Sequence, residues 1–217
     1  MIMAQDEGRF GRIDYPRRCW APKPIRPTVP RQIVREFVYV FAAVGAQWGR
    51  LTALILPTAN TEMMSLFLTH VAQEFSDFFI VMLVDRAGWH TAQRLIVPEN
   101  IRLLPQPARS PELNPTEHIW EELREKILPN QSFPSLDALE NTLCTGLTQL
   151  AADPNRVRSL TDFPYMRVTR LGRLVVLQAG RACAYQAGIN TSSTSSQDLP
   201  SAKYRLHSSS RERNASR

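Results

Sequence analysis

Cysteines, long apolar runs and acidic residues near its end are all scarce in this chain. Cys19, Cys144 and Cys183 are its three cysteines, scattered and in no paired motif. That argues against a disulfide framework or a Cys-based zinc site and suits a reducing cytoplasm. No apolar stretch approaches the roughly 18 residues a membrane span needs. The chain turns acidic by Asp6 instead of opening on a basic-then-apolar leader, so neither export nor membrane insertion is expected. Acidic charge is thin after residue 153: residues 154–217 carry 11 Lys or Arg against 3 Asp or Glu, whereas residues 1–153 carry 15 against 17.

What is present is an ordinary globular composition, 43% hydrophobic and 21% charged over 217 residues, enough for one sizeable core plus a tail. The most informative stretch is Ser110-Pro111-Glu112-Leu113-Asn114-Pro115-Thr116-Glu117-His118-Ile119-Trp120. Pro111 and Pro115 push the residues before them out of the helical region, so Asn114 suits a helix cap with Pro115 at the first helical position. The helix is expected to run to Pro129, burying Ile119, Trp120, Leu123 and Ile127. Glu117 then falls in the first turn. A capping box with Asn114, three residues earlier, would explain it without any function.

A second carboxylate makes the functional reading stronger. Phe78 to Val84 is an uninterrupted apolar run, too short for a buried helix, and reads as a strand covered on both faces. It ends on Asp85. Ligands of open α/β sheets sit at the carboxyl ends of strands, and packing explains an aspartate there poorly. A third acidic site lies in Met1-Ile2-Met3-Ala4-Gln5-Asp6-Glu7, where either Asp6 or Glu7 would face a pocket depending on strand register.

The motifs Gln5-Asp6-Glu7 with Arg9-Phe10-Gly11, Val84-Asp85-Arg86-Ala87-Gly88-Trp89-His90 and Ser110 to Trp120, in that order, resemble the catalytic domain of a DDE transposase of the mariner-like superfamily, bacterial insertion-sequence branch. The resemblance spans about residues 4 to 166. It implies a ribonuclease H-like α/β fold, with a mixed five-stranded sheet flanked by helices. It also implies Asp6, Asp85 and Glu117 as catalytic ligands of Mg²⁺ or Mn²⁺, two ions, with Asp85 bridging both. It favours Asp6 over Glu7. The implied reaction is hydrolysis of a phosphodiester at a transposon end, followed by attack of the freed 3′ hydroxyl on target DNA. Arg86 departs from the asparagine that many relatives carry after this aspartate.

The chain in order yields the same fold. Strands are expected at 1–6, Val34–Ala42 and Arg50–Leu56, the last two forming a hairpin around Gly45-Ala46-Gln47-Trp48-Gly49. A helix capped at Asn60 or Thr61 runs to Phe75, with Met64, Phe67, Leu68, Val71 and Phe75 inside. The strand ending at Asp85 is followed by a short helical piece at Thr91–Leu95 and a fifth strand at Ile101–Leu104. A proline-held loop, the Glu117 helix and a last helix from Pro134-Ser135-Leu136 to Ala151 complete the domain, taken as residues 1–166. Residues 167–217, basic and Ser-rich, read as a disordered tail, either read-through sequence or a DNA tether.

DNA is the expected partner. Arg9, Arg12, Arg17, Arg18 and Lys23, with Trp20 among them, make the segment after the first strand basic and suited to phosphate contact and base stacking, although a solvated proline-rich loop has the same composition. Arg109 beside the proline turn is a further DNA contact. His90 could touch a phosphate or serve an ordinary polar role at a helix entry, and His118 could orient Glu117 or merely pack. Trp89 and Trp120 read as core rather than stacking residues. No helix-turn-helix module is recognisable ahead of the first motif, so end recognition is expected from a separate helix-turn-helix polypeptide; a homodimer is also compatible. An inactive transposase fragment that binds nucleic acid nonspecifically is the competing expectation. Electrophoretic shifts with element ends and with random DNA are expected to show little difference, and a strong preference for the ends would refute that expectation.

Overall fold

The computed structural model describes residues 1–13, 16–29 and 31–167, together with the backbone of 175–178 and 181–184. Five strands form one sheet: β1 (Ile2–Ile13), β2 (Ile33–Gly45), β3 (Arg50–Leu56), β4 (Ile80–Val84) and β5 (Ile101–Pro105). Their spatial order is β3-β2-β1-β4-β5. β1, β2 and β3 pair antiparallel, whereas β4 lies parallel to both β1 and β5. This is the mixed sheet of the ribonuclease H-like fold.

Alternation along β1 sends Ala4 and Phe10 to one face and Met3 to the other, as the two-residue strand period requires. Helix α1 (Thr61–Glu74) covers the Met3 face. Asn60 caps it by accepting the Met63 amide at 2.9 Å, and its Met64, Phe67, Leu68 and Val71 are fully buried. Each such side chain contributes about 1.5–3 kcal/mol relative to exposure. Helices α2 (Glu117–Glu122), α3 (Leu136–Ala151) and α4 (Pro154–Thr161) cover the Ala4 face. α2 continues as a π-helical turn through Ile127, where the Leu128 amide reaches back to Leu123 O. Ser135 caps α3 through the Ala138 amide.

Four expectations shift. β1 is twice as long as its acidic start suggests, because its pairing with β2 persists to Ile13↔Ile33; Arg9 and Arg12 therefore sit on a strand and not in a loop. β4 begins at Ile80, leaving Phe78 and Phe79 exposed. Residues 91–95 make turns and no helix. α2 begins at Glu117, not Pro115, because Asn114 to Thr116 are held in a turn. The segment expected as a tail lies largely outside the described residues; within it Val175–Gln178 and Arg181–Ala184 pair as an antiparallel ribbon. Among the described residues no helix is long and apolar enough to cross a membrane.

Gly8 lets α2 approach the sheet. A Cβ there would stand 2.7 Å from Phe10 Cε2 and 2.9 Å from Trp120 Cδ2, inside any ordinary contact. Gly8→Ala is expected to cost about 1–3 kcal/mol by overpacking, read as a lower urea midpoint. An unchanged midpoint would mean that Trp120 can move aside freely.

Candidate active site

Asp6, on β1, lies two residues beyond Ala4 and shares its face of the sheet, while Glu7 points to the opposite face. Pairing between β1 and β4 ends where Ala4 faces Leu83. The next carbonyl of β1, that of Gln5, is taken by buried Asn114, whose Nδ2 donates to it at 3.1 Å. Thr116 Oγ1 donates to Ala4 O at 3.1 Å, and the Thr116 amide donates to Asn114 Oδ1 at 3.2 Å. The Asn114-Pro115-Thr116 turn is thus stitched to β1 just where β4 leaves it. Asn114 serves the turn in this way, so the capping box is not needed to explain Glu117. The next residue, Glu117, opens α2 beside Asp6.

Asp85 follows the last residue of β4, at the carboxyl end of the strand. The three carboxylates Asp6, Asp85 and Glu117 line one open cleft of about 370 Å³, together with Arg86, Gln106, Arg109, Pro111 and Asn114. A second hollow of about 310 Å³ at the far end of β1, beside Arg9, Arg17 and Arg124, is lined by no carboxylate.

Electrostatics distinguish the acids. Asp6 is pushed up from 3.8 to about 7, chiefly by burial and further by the charges of Glu117 and Glu7, against the bond that Trp120 Nε1 donates to its Oδ2 at 2.8 Å. Asp85 is held below its ordinary value, first by the hydrogen bond from His90 and then by the Ala87 amide, which donates to Oδ1 at 2.8 Å. His90 Nδ1 stands 2.7 Å from the same Oδ1, and its Nε2 lies 3.0 Å from Glu7 Oε1. Burial alone would lower His90, but hydrogen bonds to Asp85 and Glu7 and their charges raise it to about 9, so the ring is an imidazolium with both N–H groups donating.

The donor set suits a hard divalent cation, which prefers carboxylate oxygen, and a cation would relieve the pressure that keeps Asp6 protonated. As the side chains stand, no three His, Cys, Asp or Glu among the described residues already form a cage; Asp85 Oδ1 is turned toward His90.

The remaining sequence candidates divide. Arg109 and Arg86 rim the cleft, and Arg86 Nε donates to Gln106 O at 2.9 Å. Arg18, Trp20 and Lys23 are exposed, Trp20 completely. Arg17 pairs with Glu125 at 3.1 Å, and Arg9 lies over the Phe37 ring at 4.2 Å. Arg12 has structural work instead: it donates to Phe133 O, Pro134 O and Glu36. His118 pairs with Glu121 and packs on Phe163, away from any role on the Glu117 carboxylate. Reading Trp120 as core is correct as to burial but misses its bond to Asp6. The signal was available, since a buried indole N–H needs an acceptor and Trp120 follows Glu117 by three, on the same helix face.

A mixed five-stranded sheet with helices on both faces and acidic residues gathered at one end of it defines a ribonuclease H-like domain. The chain belongs to the DDE superfamily of endonucleases, whose family profile matches residues 1–140. It is 35% identical over 125 residues to an uncharacterized protein, y4pE/y4sA, of Sinorhizobium fredii, covering 57% of this chain and 93% of that one. It is 32% identical over 84 residues to the Tcb1 transposase of Caenorhabditis briggsae, covering 35% of this chain and 29% of that protein. Among solved structures it is similar in fold to Mos1 in a pre-cleavage transpososome, with TM-score 0.51, 16% identity and coverage of 74% of this chain and 55% of that chain. A Mos1 paired-end complex with Mn gives TM-score 0.51 at 17% identity, covering 73% and 54%. The chain therefore spans about half the length of the Mos1 chains.

Without divalent cations, folding stability should report these shifts. The folded chain keeps a proton on Asp6 that the unfolded chain has lost, so stability falls as pH rises from about 4 to about 7, by on the order of 1–4 kcal/mol. Asp6→Asn should flatten that decline. His90 stabilises fully below 6.5 and loses its contribution as pH rises through about 9, so His90→Gln should flatten a second, higher window. Thermal melts from pH 4 to 10 check both; a wild-type slope in Asp6→Asn between pH 4 and 7 would refute the first.

Proposed function

We propose that this chain is the catalytic part of a DNA transposase, cleaving phosphodiesters at the ends of a mobile element and joining the freed 3′ ends to target DNA. The observation that carries the reading is the meeting of Asp6, Asp85 and Glu117, from β1, the end of β4 and the start of α2, on one cleft in a chain of the DDE endonuclease family. These three would hold Mg²⁺ or Mn²⁺. Two such ions activate the attacking oxygen and stabilise the leaving oxygen of an in-line phosphoryl displacement.

The chain's own residues set the conditions for that chemistry. Trp120 fixes Asp6 Oδ2 from below, and the stitched turn fixes the start of α2 so that Glu117 stays beside it. Asp85 would hold a cation through Oδ2, since Oδ1 is engaged by Ala87 and His90. Arg86 and Arg109 on the rim suit the phosphates that flank a scissile bond. Arg18, Trp20 and Lys23, together with Arg9 and Arg17, would provide phosphate contact and stacking. The fold neighbours include Mos1 caught in a paired-end complex with a left transposon end, which supports DNA as the partner. Recognition of particular ends would then come from a helix-turn-helix module, and a homodimer would bring two ends together.

The test is nicking of supercoiled plasmid with Mn²⁺ or Mg²⁺ by the wild-type chain, Asp85→Asn and Glu117→Gln. Metal-dependent nicking in the wild type and a loss of at least about 100-fold in both variants is expected. Equal nicking by all three, or none even with a supplied DNA-recognition module, would favour an inert nucleic-acid-binding fragment.

Cation binding must displace the Asp6 proton, so its apparent affinity should fall about tenfold per pH unit below about 7. Calorimetric Mn²⁺ titrations at pH 6 and 8 check this; equal affinities would mean that no Asp6 proton is displaced on binding.

A further inference from the structure

We propose that Glu7 and His90 form a buried strut that fixes the rotamer of Asp85, holding one of its oxygens on the protein and presenting the other to the cleft. The inference rests on reading Asp85 as a cation ligand. It assigns a task to the second acid of the Asp6-Glu7 pair, which points away from the cleft and is absent from its lining.

Glu7 is not surface charge. Its side chain is 6% exposed, and its Oε1 accepts from Gln5 Nε2 at 2.8 Å and from Trp89 Nε1 at 3.2 Å, with His90 Nε2 at 3.0 Å. A carboxylate this buried persists only where donors surround it. All of those donors converge on one oxygen, and one of them leads onward. His90, its side chain 1% exposed, places Nδ1 2.7 Å from Asp85 Oδ1, whereas the Asp85 side chain is 52% exposed. Support therefore runs from a buried pair to an exposed carboxylate.

The local chain makes this possible. Asp85 ends its strand, the His90 amide closes a turn onto Ala87 O at 3.0 Å, and the ring folds back over the aspartate five residues before it. Nδ1 also stands 3.2 Å from the Asp85 carbonyl, so ring and backbone are tied together. An aspartate has two side-chain torsions, and the Ala87 amide and the imidazole, both meeting Oδ1, determine them. Oδ2 is left facing the cleft. Groups that orient a metal ligand from behind commonly change cation affinity 10–100-fold when removed.

One face of β1 thus carries Asp6 into the cleft directly, and the other reaches the same cleft through Glu7, His90 and Asp85. The adjacent acids serve two different ligands of one centre. A merely structural Glu7–His90 pair would hold the fold together without affecting the cation.

The experiment measures Mn²⁺ binding by electron paramagnetic resonance of the free ion, with the full chain at pH 7.5, for the wild type, Glu7→Gln, His90→Gln, the double variant and Asp85→Asn. Thermal midpoints and the downfield imidazole N–H proton resonances of His90 are recorded alongside. Expected are loss of binding in Asp85→Asn, about tenfold weaker binding in each single variant, and no further loss in the double, because the two act in series. Glu7→Gln should also remove a downfield His90 resonance while the chain stays folded. Wild-type affinity in folded Glu7→Gln, or single effects that multiply in the double, would overturn the strut. Failure of the metal-centre reading looks different, with equal Mn²⁺ binding by the wild type and Asp85→Asn, and would overturn both. If His90→Gln does not fold, Glu7→Gln, which keeps the side-chain volume, decides alone.

Discussion

The stitch between the Asn114-Pro115-Thr116 turn and β1 is the constraint on which the site depends. β1 runs on after β4 has ended, and a strand that loses a neighbour in the middle of a sheet exposes carbonyls that must find donors. Asn114 supplies one at Gln5 O, and Thr116 Oγ1 adds a second tie beside it at Ala4 O. The consequence is geometric. Pro115 holds its own backbone fixed between the two donors, so the first turn of α2 starts at a set height above Asp6. Glu117 and Trp120 then arrive on one helix face, one to line the cleft and the other to bond Asp6. Loss of the Asn114 donor would leave the Gln5 carbonyl unpaired, at about 1–3 kcal/mol, and would loosen the helix start.

Burying acids has an electrostatic cost, and the chain meets it differently on the two faces of β1. Glu7 is surrounded by donors, one of them a cation, and so its negative charge is compensated within the protein. Asp6 has the Trp120 indole but also the charges of Glu117 and Glu7 nearby, and is pushed up to about 7. The contrast separates support from function. A compensated carboxylate is stable as it is, whereas an undercompensated one beside other carboxylates favours whatever positive charge comes to it, a proton or a metal ion.

Elements whose cause is local were legible in the sequence. The Asn60 cap and the apolar stripe of α1 appear as read, and α3 spans the residues expected of it, because capping and helical periodicity are short-range properties. Asp85 could be placed by the length of its apolar run and the rule for strand ends. Tertiary causes were less visible. Phe78 and Phe79 look like strand residues, but β4 can begin only where β5 and the chain start offer partners, at Ile80. Arg9 and Arg12 look like loop residues by charge; their strand is set by pairing with β2. The choice between Asp6 and Glu7 needed the register, since a shift of one residue exchanges the faces. The links from Trp120 to Asp6 and from Glu7 to His90 join residues 114 and 83 positions apart, beyond any local pattern.

Arg109 shows how the loop over the cleft is held for use. Its φ of 58° is a left-handed conformation that costs a non-glycine residue of order 1 kcal/mol. Between Pro107 and Pro111 the backbone has few alternatives, because each proline fixes its own φ and restricts the residue before it. Gln106 anchors the start of the loop: its amide donates to Val84 O, its carbonyl accepts from Arg86, and its side chain reaches Leu113 O. The loop is thus fastened to the end of β4, the element that carries Asp85. Under the proposed function, Arg109 at the rim and Asp85 in the cleft would thus stand on one hydrogen-bonded frame, joined through Gln106.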